Sequence, residues 1–243
     1  MKLFILAALM ALPARLCATE AACVYQLQGG VEVRRSGEKD WEKAEKGLPL
    51  RQGDSLRTGP RAWCELLLRD GTFVRLDQNS ETGADELKAD GEGRSVGFSF
   101  LKGRAVWLVA KIKGKVFSKF SVRTPSAVCA VRGTEFAVSV STDGAAQVGL
   151  FEGKVAVSAE GGEKDLAPGQ EASAAGGEVA VAARLSRLMK AEEKRCAALR
   201  GRVEKLRARL AARQDFLDGY TKAQRERLDE LRKRREEKLK ARQ

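Results

Sequence analysis

The sequence predicts a mainly β domain followed by one long basic helix. Three observations carry that prediction. Between Val24 and Val181, short runs of alternating, often β-branched residues are separated by Gly-rich turns. From Glu178 to Gln243 there is no Pro, and Ala, Leu, Glu, Lys and Arg dominate. The charge divides near the same place: Arg184 to Gln243 holds 21 Lys plus Arg against 10 Asp plus Glu, and the preceding 183 residues hold 24 against 23. The expected organisation is a leader at residues 1–21, an all-β domain of two-layer sandwich or roll type at 22–177, and a helical tail at 178–243, read as a coiled coil.

At 243 residues and 43% hydrophobic, the chain is long enough for one sizeable core and an appendage. Its net charge of +12 belongs almost entirely to the tail. It has no His, which excludes His-based triads and His-containing zinc sites.

Met1 and Lys2 precede an apolar run from Leu3 to Leu12, then Pro13. Such a run is about half the length of a membrane-spanning helix. A basic start, a short apolar centre and small residues after it read as a secretory signal, cleaved after Ala18 or Ala21. The competing reading is a buried N-terminal element. No later run approaches about 18 apolar residues, so no membrane span is expected after signal removal. Export would put the protein in the periplasm or outside a bacterial cell. There, disulfides are permitted. Cys64 and Cys129 lie in apolar, strand-like stretches and would pair if their strands were neighbours; otherwise they are buried thiols.

The strands follow in order. Gly30-Val31-Glu32-Val33-Arg34, Ala105-Val106-Trp107-Leu108-Val109, Glu135 to Val140 and Gly153-Lys154-Val155-Ala156-Val157 alternate or run apolar. Arg69-Asp70-Gly71-Thr72, Thr142-Asp143-Gly144 and Glu160-Gly161-Gly162 are hairpin signals, because such turns need φ > 0, where Gly meets no clash. A weak internal repeat runs through the domain. Gly30-Val31-Glu32-Val33 leads to Leu50-Arg51-Gln52-Gly53-Asp54-Ser55, and Gly153-Lys154-Val155-Ala156-Val157 leads to Leu166-Ala167-Pro168-Gly169-Gln170-Glu171.

Five ordered elements resemble the FecR domain family. They are Gly53-Asp54-Ser55-Leu56-Arg57-Thr58-Gly59; Asp70-Gly71-Thr72; Thr124-Pro125 through Arg132-Gly133-Thr134-Glu135-Phe136; Glu152-Gly153-Lys154-Val155; and Leu166-Ala167-Pro168-Gly169-Gln170. The resemblance spans Val24 to Ser173. It implies a periplasmic or extracellular β module that binds other envelope components, rather than an activity; founding members regulate sigma factors in iron-uptake signalling.

The residues themselves read as structure first. Thr124-Pro125 sets an extended segment, and Gly133 suits a turn or bulge. Arg132 would brace a carboxylate or turn, or else contact an acidic ligand at a strand edge. Thr134 would bond local backbone, and Phe136 would fill the core.

In the tail, Leu185, Met189, Cys196, Leu199, Val203, Leu206, Leu210, Leu217 and Tyr220 recur at three- and four-residue steps, interrupted by Glu192 and Arg213. Sustained over more than four heptads, this predicts a coiled coil, with a stutter or break near Asp218-Gly219 where Leu228, Leu231 and Leu239 change register. A solitary helix, or one folded back on the β domain, is the competing reading. In a parallel coil Cys196 would be placed for an interchain disulfide. The basic surface suits an anionic lipid or acidic polymer, or is simply solvated; export and the lack of interleaved aromatics argue against nucleic acid. No nucleophile, phosphate-loop or paired-carboxylate motif is present. The expectation is therefore a non-enzymatic, cofactor-free envelope scaffold or adaptor that binds a protein or glycan and forms homo-oligomers; the alternative is a sensor-type regulator in surface signalling or polysaccharide export.

Overall fold

The computed structural model describes residues 21–90, 93–111 and 117–240, the side chains of 89, 90, 117 and 214–240 excepted. The expected leader, apart from Ala21, lies outside them. The strands are β1 (Ala22–Gln28), β2 (Val31–Arg34), β3 (Glu42–Lys43), β4 (Pro49–Leu50), β5 (Ser55–Thr58), β6 (Trp63–Leu68), β7 (Phe73–Leu76), β8 (Glu81–Asp90), β9 (Gly93–Leu108), β10 (Phe117–Arg123), β11 (Val128–Val140), β12 (Ala146–Ala159), β13 (Gly162–Leu166), β14 (Glu171–Ala175) and β15 (Glu178–Ala182). Helix α1 spans Arg187–Lys240.

These strands form one continuous sheet with the main order β15-β14-β12-β11-β10-β9-β7-β6-β1-β4. Only β9 and β10 pair in parallel among the described residues. One apolar cluster draws residues from both ends of that order, Leu50 on β4 and Ala172 on β14. The sheet therefore wraps around a single core, which is how the expected sandwich or roll is realised. Trp107 sits at its centre, fully buried, stacked on Phe136 and edge-on to Phe98, Phe100 and Phe120.

The uninterrupted apolar run Ala105 to Val109 has a local explanation. Ala105 and Trp107 face the core, while Val106 and Leu108 face a second apolar cluster under α1. A strand buried on both faces loses the alternation of a half-exposed one.

The three hairpin signals are turns as expected, with Gly71, Gly144 and Gly162 at φ of 83°, 86° and 125°. The internal repeat is real at the level of turns. Asp54 N–H donates to Arg51 O and Gln170 N–H donates to Ala167 O, both at 3.0 Å. Gly53 and Gly169 hold the third positions at φ of 88° and 85°. In each turn the fourth side chain accepts from the first N–H: Asp54 from Arg51 at 2.9 Å, Gln170 from Ala167 at 2.8 Å.

Three expectations are corrected. The helix does not begin at Glu178: Glu178-Val179-Ala180-Val181-Ala182 alternates with period two and pairs with β14 as β15, so the β domain continues to Ala182. Cys64 and Cys129 are free thiols, because β6 and β11 are not neighbours; burial pushes both up to about 12. The helix also runs through Asp218-Gly219 without a break, so of the stutter and the break expected there the break is excluded. No helix among the described residues is long and apolar enough to cross a membrane.

Candidate functional site

Most of the signature residues brace the fold. Asp54 is buried and accepts from Arg35 Nη1 at 2.6 Å, Ser36 N–H at 3.1 Å and Arg51 N–H. A side chain at Gly53 would strike Ser36 Oγ at 2.4 Å. Thr58 donates to Asp77 O at 2.5 Å and accepts from Ser80 N–H at 2.9 Å. Gly59 lies against Gly30 O, where its own N–H donates at 2.8 Å. Thr124 closes a small loop by exchanging bonds with Ala127, and Pro125 lies exposed beside it.

Asp70 accepts from Thr72 N–H and Oγ1 at 2.8 and 2.9 Å. It also takes Arg94 Nη1 at 2.5 Å. Arg94, only 1% exposed, continues to Ala110 O, Ser118 Oγ and the face of Phe120. Sequence reasoning missed Arg94, because no motif marks it.

Gly133, at φ 60°, opens a bulge where β11 shifts register against β12 between Arg132 and Glu135. Thr134 Oγ1 donates across the sheet to Lys154 O at 2.9 Å, not to local backbone as expected. Gly153 lets the bulge approach: a Cβ there would meet Gly133 O at 2.8 Å. Phe136 is buried in the core as expected. Arg132 corrects its structural reading: it is exposed and braces no carboxylate among the described residues. The bulge instead aims Glu135 outward at the helix.

There, Arg200 grips Glu135 with Nε at 3.1 and 3.2 Å and Nη2 at 2.6 Å. Four helix arginines make such contacts. Arg195 pairs with Asp77 at 2.5 Å, Arg202 with the fully buried Glu65, and Arg207 donates to Gly71 O and Leu108 O at 2.9 and 2.8 Å. Ser186 caps the helix by accepting from Met189 N–H at 3.2 Å, while its own N–H donates to Glu171 at 2.7 Å. Beneath these contacts Leu185, Met189, Cys196, Val203 and Leu206 pack on Phe73, Val106, Leu108 and Ala137. Burying such side chains stabilises by about 1.5–3 kcal/mol each. Half-exposed ion pairs give only about 0.2–1 kcal/mol, so the apolar seam dominates the docking.

The a and d positions from Leu185 to Leu206 are thus occupied by the chain's own sheet, which corrects the coiled-coil expectation for that stretch. A heptad stripe and a helix-on-sheet stripe share the same spacing. Cys196 is buried in the seam beside Glu135, out of reach of an interchain disulfide; burial, then Glu135, pushes its thiol up.

Glu192, which interrupts the stripe, is buried and ion-paired with Arg104 and Arg195 at 3.5 and 3.6 Å. Neither of its oxygens is hydrogen-bonded. Burial raises its pKa, outweighing the opposing pull of Arg195 and Arg104. Stability gained by protonating it is fully present below the ordinary carboxyl value and is lost as pH rises through the raised folded value. Glu192→Gln is therefore expected to stabilise the protein by roughly 1 kcal/mol at pH 7 and to lose that advantage as pH falls toward the ordinary carboxyl value. Urea unfolding at both ends of that range checks it; a pH-independent difference would count against it.

The fold and site define a single mainly β module whose Gly-containing turns brace the sheet and whose outer face carries a docked basic helix. Residues 54–156, a little over two fifths of the chain, match the family model described as FecR protein. Two crystal structures of a "putative anti-sigma factor" from Parabacteroides distasonis ATCC 8503, at 1.65 and 2.50 Å resolution, are similar in structure, each with 23% identity and a TM-score of 0.45. The match covers 54% of this chain and 59% of theirs, so the chain spans about three fifths of the length of the solved chains it matches. No curated protein matches the chain significantly.

Proposed function

We propose that the protein is an exported, non-enzymatic binding protein of the bacterial envelope. Its FecR domain recognises a protein or glycan, and its helix joins copies of the chain. The division of α1 carries this reading. The first part is consumed by the β domain, which fixes the module to a rigid arm. Of the later apolar residues, Leu217 and Tyr220 continue the stripe and Leu228, Leu231 and Leu239 resume it in a shifted register, and they supply the seam for a second copy. Two linked modules bind a repeating or clustered target more tightly than one.

The test is the mass of the mature chain in sedimentation. The native chain is expected to associate at micromolar concentration. Leu228→Glu with Leu231→Glu is expected to give a monomer with unchanged β-domain melting. A native chain that is already monomeric overturns association through the helix.

A sensor-type regulator in surface signalling is the second reading, favoured by the FecR match at residues 54–156. It requires ligand binding to alter the docked helix. Hydrogen exchange of residues 187–210 with and without bound ligand separates the two: a sensor changes protection there and a scaffold does not.

A further inference from the structure

The strand registers assemble a surface that no single motif reveals. Lys88 pairs with Ser95, and Ser95 with Lys119. Lys119 and Arg132 lie one step beyond the inward pair Phe120 and Val131, and Arg132 pairs with Lys154. Four cations thus line one row across β8 to β12, on the side of the sheet opposite the core. At about 4.8 Å per strand the row spans about 19 Å. All four are exposed, and none makes an ion pair among the described residues. In the adjoining row Gly97, Ser121, Ala130 and Ala156 form a floor of small residues in direct register, with Glu86 and Asp165 at its two ends. Ser99, Arg123, the half-buried Val128 and Ser158 follow in the next row.

This arrangement opposes stability. Like charges directly opposite on neighbouring strands repel, and Arg132 and Lys154 are such a pair. A bare floor of Gly, Ala and Ser also leaves the sheet unusually open. Both features suit a flat, hydrated polyanion. A protein partner would need apolar anchors, and the floor offers none larger than alanine. Nucleic acid would need aromatic stacking surfaces, and the two rows contain no aromatic residue.

We infer that this face binds an acidic polysaccharide, with its anionic groups along Lys119, Arg132 and Lys154 and its hydroxyls against the serines. The inference deepens the proposed recognition role of the FecR domain and rests on it. The probe is polygalacturonate added to the full chain, with neutral dextran and single-stranded DNA beside it. Binding is expected for polygalacturonate, weakening as salt rises, with none for dextran and weaker binding for DNA. Lys119→Gln, Arg132→Gln and Lys154→Gln together are expected to lower affinity about tenfold. The same change at Lys190, Lys194 and Lys205, exposed on the helix, is expected to leave it within about twofold. Lys154→Glu is expected to raise Tm by about 1–2 °C by turning repulsion into attraction, while weakening binding. Equal losses from both triple variants, tighter binding to DNA, or no binding to polygalacturonate would overturn the inference. Sedimentation reads association of the helix separately, so failure of the platform and failure of the oligomeric reading are distinguishable.

Discussion

Asp70→Ala is expected to destabilise the protein by about 3–5 kcal/mol, the range for stripping one partner from a buried ion pair. Arg94 is 1% exposed, and its Nε already lacks a hydrogen-bond partner. Its remaining contacts, Thr72 Oγ1 at 3.3 Å, Ala110 O at 3.2 Å and Ser118 Oγ at 3.0 Å, are neutral acceptors. Without Asp70 they leave a buried cation with no counter-charge. Asp70→Asn keeps a side-chain acceptor for the turn but removes the charge, so a smaller loss is expected. Arg94→Met added to Asp70→Asn should recover much of the stability, because exchanging a whole buried pair for apolar or neutral groups is often near neutral. Urea unfolding of the three variants tests this. If Asp70→Ala lies within about 1 kcal/mol of the native protein, the pair is not the brace its geometry indicates.

The same turn joins the core to the helix. Gly71, next to Asp70, presents its carbonyl to Arg207, and a Cβ there would meet Arg207 Cγ at 3.0 Å. The Asp-Gly-Thr element therefore does two jobs. Its acid neutralises a buried arginine on one side, and its glycine admits the helix on the other. Losing Asp70 should weaken both, and the helix contact at Arg207 should loosen before the core melts.

What was legible in the sequence was local. Asp70-Gly71, Asp143-Gly144 and Gly161-Gly162 announced their hairpins because turn geometry depends on a few adjacent residues. The twin turns at Gly53 and Gly169 were visible as a repeat for the same reason. Long-range pairings were not legible. Arg94 meets Asp70 only because β9 crosses beside the β6–β7 hairpin, and Glu135 faces Arg200 only because a bulge turns β11. The helix stripe was legible as amphipathic, but spacing alone cannot distinguish a partner helix from a sheet. Glu192 held a clue: an acid in an apolar seam fits poorly between two helices, and here Arg104 of β9 stands close to it. The cation row was hidden for a further reason. Lys88, Lys119, Arg132 and Lys154 are far apart in sequence and meet only through strand register.

Val203→Asp is expected to release the middle of the helix from the sheet, at a cost of about 3 kcal/mol or more. Val203 is fully buried against the cluster that contains Phe73 and Leu108. A carboxylate there would sit among the apolar side chains of that cluster, with Arg207 already engaged by Gly71 O and Leu108 O, and burying it costs several kcal/mol. Lifting the whole docked segment would forfeit Leu185, Met189, Cys196 and Leu206 as well, which together contribute more than the charge costs. The cheaper response is local: the turn around Val203 lifts, Arg207 leaves Gly71 O and Leu108 O, and the capped start at Ser186 holds. Amide exchange should therefore accelerate from about residue 200 to 210 and remain slow near Met189 and in the core. Ala208→Asp adds the same charge on the exposed side, so it should change stability by no more than about 0.5 kcal/mol. If the two variants behave alike, the helix is not docked through this seam. Leu185, Met189, Val203 and Leu206 would then be free for the partner helix that their heptad spacing suggests.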